Sequence, residues 1–303
     1  MKGIVAIGIL FGTGILFAQD SPFVFEVESN SISTEVSVTD AVGKPVIDLT
    51  KDAFSIYEDG KLQTLTGFLP VEAPCSALLL FDRTSSTENE WPLLQGALNQ
   101  FMEALKPQDS ISIATFTDST DLRLNWWNLS KGRPADVLTN VKIGDTTDFY
   151  GAIGWAQNRF KNVNARKVIV VLSDGLDSTR IMSRYTPDFD DDFQKLLRSV
   201  RTGKIPYYFV AVNTDVDSKT GSALGRLRME QLAEASGGGM LIPQTADDIA
   251  TFFGDIAHIL GTQYSLAYQQ PVSSRDGKSH KIEVRLRDPK LTAHLSRDHY
   301  VSN

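Results

Sequence analysis

Four short stretches of nearly unbroken apolar residues, 77–81, 111–116, 168–172 and 207–212, set the frame of this chain. Neighbouring side chains along a strand point to opposite sides of a sheet, so a run that is apolar at successive positions must bury both faces. Longer segments with apolar residues at helical spacing lie between and after these runs, at 91–105, 148–160, 189–200, 224–235 and 247–260. Continuously apolar strands separated by helices predict an α/β fold: a doubly wound, mainly parallel sheet flanked by helices. The chain on either side obeys a different rule. From 23 to 70 apolar and polar residues alternate, as at Phe23, Phe25 and Val27 and again at Val36 and Val38, with turn chemistry at Val42-Gly43-Lys44-Pro45 and Glu58-Asp59-Gly60-Lys61. Alternation returns over 263–303, as in His280-Lys281-Ile282-Glu283-Val284-Arg285-Leu286. This pattern predicts short antiparallel strands with one buried face. Each end is roughly 40 to 50 residues long, a length at which a domain rarely folds alone. The two ends, 23–70 and 263–303, are therefore expected to pair into one small β-sandwich beside an α/β domain at 74–261.

The composition, 42% hydrophobic and 22% charged over 303 residues, is that of a globular protein. A net charge of -7 without a basic cluster argues against nucleic acid as a partner, since that affinity comes from Lys and Arg neutralising phosphates. It argues equally against an anionic lipid surface. The amino terminus has the layout of a secretory signal peptide, expected to span 1–18: Lys2, an uncharged and mostly apolar run over 3–17, then Ala18 before Gln19-Asp20. The run is shorter than the about 20 residues of a membrane span, which favours cleavage over a retained anchor. The expected location is secreted, periplasmic or in the cell envelope, with no membrane insertion after cleavage. The single cysteine, Cys75, excludes an internal disulfide, and its place beside Pro74 ahead of an apolar run predicts a buried thiol at the start of a strand.

The residues that carry chemistry sit just past two of the apolar runs. Asp82, Thr84 and Ser86 put an oxygen at every second position after the first run, and Ser173-Asp174-Gly175 follows the third. Strands apolar on both faces belong in the middle of a sheet, and open α/β sheets bind ligands outside the carboxyl ends of their strands. Thr147, in Gly144-Asp145-Thr146-Thr147-Asp148-Phe149-Tyr150, adds a hydroxyl at a helix start. Two carboxylates and three hydroxyls, with no His or Cys, suit a hard cation such as Mg²⁺, Mn²⁺ or Ca²⁺ and not Zn²⁺. Each residue also has a plainer use. Thr84, Ser86 and Thr147 could be helix N-caps, and Asp82 and Asp174 could cap helices or turns. The acidic run Asp188, Asp190, Asp191, Asp192 is expected to complement a helix dipole, and Trp126 and Trp127 to cover a sheet edge. The loop from Asp215 to Gly221 is no calcium site, because Lys219 stands where an oxygen ligand belongs. His258, His280, His294 and His299 all fall late in the chain, and there is no full Gly-x-x-x-x-Gly-Lys-Ser/Thr phosphate loop.

Taken in order, Asp82-x-Thr84-x-Ser86, Thr147 and Asp174 resemble the metal-ion-dependent adhesion site of von Willebrand factor A (vWA) domains, whose usual first element is Asp-x-Ser-x-Ser. The flanking segments 54–61 and 264–268, with the leader, are similar to the acidobacterial-type secreted members of that family. The chain departs from the pattern at Thr84, whose methyl crowds a position usually held by Ser. It departs again at Asp145-Thr146-Thr147, where similar sequences carry Gly-Gly-Thr; Thr147 matches the ligand position better than Thr146. The resemblance implies that the two motif hydroxyls bind a divalent cation directly, Mg²⁺ first, and that Asp82 often acts through water. Thr147 and Asp174 would exchange between direct and water-mediated contact, and a carboxylate from a partner protein would fill the open position. The expected function is a secreted protein-binding module, not an enzyme. The alternatives are a metal-dependent phosphohydrolase, disfavoured because Thr84 replaces the second carboxylate of an Asp-x-Asp motif, and a structural envelope protein whose metal site does not function.

Overall fold

The computed structural model describes residues 31–302 apart from 164, 181–184, 204 and 213–219. The expected leader, the alternation at Phe23, Phe25 and Val27, and most of the 215–221 loop lie outside the described residues. The chain begins with β1 (Ser31–Thr39), β2 (Phe54–Glu58), β3 (Lys61–Gln63) and β4 (Leu65–Leu69). An α/β region follows: β5 (Cys75–Asp82), α1 (Trp91–Ala104), β6 (Ser110–Phe116), β7 (Thr120–Asn128), α2 (Phe149–Asn158), β8 (Arg166–Ser173), α3 (Asp191–Gly203), β9 (Tyr207–Ala211), α4 (Thr220–Ser236), β10 (Gly239–Leu241) and α5 (Ala246–Thr262). Four strands close the chain: β11 (Gln263–Gln269), β12 (Ser279–Leu286), β13 (Thr292–Leu295) and β14 (His299–Val301).

The central sheet has six strands in the order β10-β9-β8-β5-β6-β7, parallel except for β7, which runs antiparallel to β6 at the edge. Every residue of β5 is buried. Its side chains divide strictly: Ala77, Leu79 and Phe81 enter the layer with Phe253 and Ile256 of α5, while Leu78 and Leu80 enter the layer with Phe149, Phe193 and Met229 of α2, α3 and α4. This is the mainly parallel, doubly wound architecture that the apolar runs predict. Trp126 and Trp127 cover the β7 edge on opposite faces, Trp126 against Phe160 at a centroid distance of 5.0 Å and Trp127 against the other layer. Cys75 opens β5 as a buried thiol, pushed up to about 12 by burial. Helix α3 starts two residues later than the periodicity predicts. Residues 187–189 form a short 3-10 turn, and the Asp190 carboxylate accepts the Phe193 amide at 3.0 Å, as a cap does.

Two four-stranded antiparallel sheets, β13-β1-β11-β4 and β14-β12-β2-β3, make the small β-sandwich, and each draws strands from both ends of the chain. β1 lies between β11 and β13, and β12 lies between β2 and β14. Val36, Ile56, Tyr264, Leu266, Tyr268 and Ile282 fill the space between the sheets. The turn at Asp59-Gly60 takes the left-handed conformation at both residues, φ 47° and 78°, which joins β2 to β3 with the twist a two-residue hairpin needs. Within the sandwich the buried Glu58 carboxylate accepts hydroxyls from Tyr268 at 2.5 Å, Tyr300 at 2.8 Å and Ser274. Helix α5 passes into β11 without a linker. At that seam the buried Arg166 guanidinium, at the start of β8, donates to the carbonyls of Gln263 at 3.0 Å, Val71 at 3.1 Å and Ala73 at 3.2 Å. The sandwich therefore meets the amino ends of the central strands, and their carboxyl ends face away from it. No helix among the described residues is long and apolar enough to cross a membrane.

Candidate metal centre

The chain leaves two adjacent strands in opposite directions: from β5 to β6 on one side and from β8 to β9 on the other. That reversal opens a crevice at their carboxyl ends. Asp82 is the last residue of β5, and Asp174 follows Ser173, the last residue of β8. Asp82, Thr84 and Asp174 are buried there, Ser86 is exposed at the rim, and Thr147 is buried in the loop before α2. One Asp82 oxygen accepts the Thr84 amide at 3.1 Å and the Thr84 hydroxyl at 2.7 Å; the other accepts the Ser173 hydroxyl at 2.8 Å. The Thr84 and Ser86 hydroxyls lie 3.1 Å apart, and Ser86 in turn faces the Asp174 carboxylate and favours its charged form. Asp82, Thr84, Ser86 and Asp174 thus form a continuous polar line across the crevice.

Thr147 is joined to the loops beside the crevice through backbone contacts. Gly144 donates to the Arg83 carbonyl at 3.0 Å and bridges Thr84, which ties its loop to β5. Thr147 then exchanges two bonds with Ser178 in the loop after β8: its amide donates to the Ser178 hydroxyl at 2.7 Å, and its carbonyl accepts the Ser178 amide at 2.9 Å. The capping alternative does not account for these hydroxyls. Thr84 stands at the N-cap of a short 3-10 helix without a side-chain cap bond, and α2 is capped by Asp148, which accepts the Gly151 amide at 3.0 Å.

Burial, then the neighbouring charge of Asp174, push Asp82 up to about 7, and burial raises Asp174 as well. Neither carboxylate forms an ion pair among the described residues. Two buried carboxylates sharing a crevice without a counter-charge are unfavourable in their ionised form. An all-oxygen set of two carboxylates and three hydroxyls fits a hard divalent cation that would supply that charge.

Residues 77–176, which include all five of these positions, match the model of the von Willebrand factor type A domain. This chain carries a vWA domain. Its fold is similar to that of a von Willebrand factor type A protein from Catenulispora acidiphila, with a TM-score of 0.52 and 11% identity over 92% of this chain and 75% of that one. It is also similar to the PilB minor pilin from Streptococcus sanguinis, with a TM-score of 0.50 and 12% identity over 63% of this chain and 62% of that one. The pilus adhesin SpaC from Lactobacillus rhamnosus GG gives a TM-score of 0.50 and 10% identity over 79% of this chain. This chain spans 62% of the PilB chain and 35% of the SpaC chain, and at these identities the likeness is one of fold. No curated protein matches the sequence.

The vWA crevice has supports that sequence spacing does not announce. Ser173 holds Asp82, and its only sequence signal is adjacency to Asp174. Arg180 bridges Asp148 and Asp177, the latter at 2.7 Å, and Asp177 also accepts the Tyr150 amide at 3.0 Å. This clamp joins the Asp174 loop to the start of α2. A second acidic group, Glu58, Asp59 and His280, lies on the sandwich with ligand atoms within 4.8 Å of one another. There the two ring nitrogens of His280 meet Asp59 at 2.7 Å and Asp276 at 3.0 Å, and Glu58 is occupied by three hydroxyls. That group is bonded as a structural ion network.

Proposed function

We propose that the vWA domain is a metal-ion-dependent binding module of a secreted or envelope protein and that it performs no turnover. Asp82, Thr84, Ser86, Thr147 and Asp174 would hold one divalent cation, Mg²⁺ first with Mn²⁺ and Ca²⁺ as alternatives. The cation would supply a Lewis-acidic position for a carboxylate of a partner protein. The observation that carries this reading is the pair of buried carboxylates, Asp82 and Asp174, at the switch point of the sheet with no ion-pair partner among the described residues, joined through Thr84 and Ser86. The chain's own residues do two things. Thr84 and Ser173 orient the Asp82 oxygens, and the Thr147–Ser178 bonds fix the distance between the two loops. The non-enzymatic reading is supported by the residue two places after Asp82: it is Thr84, whose hydroxyl donates to Asp82, where an acid–base mechanism would want a second carboxylate. The similarity of fold to a pilus adhesin and a minor pilin is compatible with an adhesive role at the cell surface.

Metal that binds only the folded chain must stabilise it by mass action, by about 2.7 kcal/mol at a hundred times the dissociation constant. Millimolar Mg²⁺ or Mn²⁺ should raise the thermal midpoint of the full chain, and Asp82→Ala should abolish the rise. A midpoint that ignores both metals would count against the reading.

A further inference from the structure

Between Asp82 and Thr84 stands Arg83, a residue the metal reading does not use. Its backbone is built into the crevice: the amide donates to Phe116 at 2.9 Å, and the carbonyl accepts Gly144 at 3.0 Å. Alternation at the strand end sends its side chain to the side opposite Asp82 and Thr84. There the guanidinium carbon lies 4.4 Å from the centroid of the Trp91 ring at the start of α1. Arg83 is 8% exposed, and among the described residues its Nε and Nη1 have no hydrogen-bond partner. Among the described residues no carboxylate forms an ion pair with it; Glu88, whose charge reaches it, is itself exposed. Arg166 shows how this chain satisfies a buried guanidinium when the role is structural, with Nε, Nη1 and Nη2 all donating to carbonyls. Buried donors left unmade are costly. A guanidinium also carries its donors in one plane, as a fork that matches a carboxylate.

We propose that Arg83 is a second anion-binding group beside the cation, so that the vWA domain takes an acidic peptide segment carrying two neighbouring carboxylates, one on the cation and one on Arg83. This rests on the metal-dependent reading above. The separation of roles follows from geometry: Asp82 and Thr84 face one side of the strand end and Arg83 the other, so one carboxylate on the cation does not occupy the Arg83 fork. Trp91, packed edge-on against Phe81 at 6.4 Å, fixes the plane in which the second carboxylate would be read.

The test uses the full chain with Mn²⁺. Metal affinity is read from free Mn²⁺ by electron paramagnetic resonance. Peptide binding is read from the broadening that bound Mn²⁺ imposes on peptide proton signals, for acetyl-Asp-Glu-amide and for acetyl-Asp-Gln-amide. The wild type should bind the diacidic peptide about tenfold more tightly, the size of one charge-assisted pair. Arg83→Gln should bind both peptides alike while Mn²⁺ affinity stays within about twofold, and Arg83→Lys, charged but without the fork, should fall between. Equal affinity for the two peptides in the wild type overturns the proposal without any variant. Equal weakening of both peptides in Arg83→Gln also overturns it, because Arg83 would then share the carboxylate on the cation. Absence of Mn²⁺ binding in the wild type overturns the metal reading itself, and with it this one.

Discussion

Asp82 is where the chemistry of this chain concentrates. Its carboxyl group is held near 7 because it is buried and faces Asp174. A carboxyl group whose folded value lies above its unfolded one adds stability that is complete below the unfolded value of about 4 and is lost as the pH rises through the folded one. In chelator the thermal midpoint should therefore fall between pH 5 and pH 8. His280, raised by its pairing with Asp59 and Asp276, acts in the same direction, so the decisive comparison is with Asp82→Asn. The variant should melt higher than wild type at pH 8 and show a shallower decline. Metal affinity, which requires the ionised carboxylate, should rise with pH across the same window. An Asp82→Asn profile parallel to wild type would mean that Asp82 does not titrate there. At this scale the sequence was legible wherever side chains fall at fixed spacing after an apolar run, as for Asp82, Thr84, Ser86 and Asp174. It was silent on Arg180, Asp177 and Asp148, which meet only because the loop after β8 folds back on the start of α2.

At the scale of elements, the loop after β8 is set by the backbone of α4. Gly175 adopts φ +73°, and a Cβ there would meet the Gly225 carbonyl oxygen at 2.4 Å. A Cβ on Gly225 would meet the Asp174 carbonyl oxygen at 2.1 Å, so the helix rests directly on the backbone of a candidate ligand. Glycine inside a helix costs about 1 kcal/mol against alanine; here it allows an approach that no side chain would permit. Gly225→Ala should destabilise the chain by about 1–3 kcal/mol, the usual cost of overpacking. It should also weaken metal binding, since Asp174 must move with its backbone. Denaturant unfolding and a Mn²⁺ titration check this, and unchanged metal affinity would show that α4 does not position the site. Helix α4 was legible as a segment of helical period, but the reason for its glycine was not, because the contact joins elements about 50 residues apart. The start of α3 departs from the periodicity for a related reason: the apolar pattern includes Phe189, whereas the Asp190 cap sets the boundary.

Over the whole molecule, the sandwich and the candidate site occupy opposite ends of the central sheet. The alternating patterns at the two ends were readable as strands, and their shortness pointed to mutual pairing. Their order in the two sheets was not readable, because β1 pairs with β11 and β13 across more than two hundred residues of chain. Deleting 263–303 removes both neighbours of β1 and the Gln263 carbonyl that Arg166 holds. Amide exchange should then become fast over 31–39 and stay slow over 75–82 and 166–173; protection retained in β1 would mean that the amino-terminal strands stand alone. The central claim, that the vWA crevice holds a functional cation, is tested most directly by calorimetric titration of the full chain with Mn²⁺, alongside Asp82→Ala and His280→Ala. The account predicts saturable binding of one ion per chain, lost in Asp82→Ala and kept in His280→Ala. No saturable binding in the wild type, or binding that survives Asp82→Ala and disappears with His280→Ala, would contradict it.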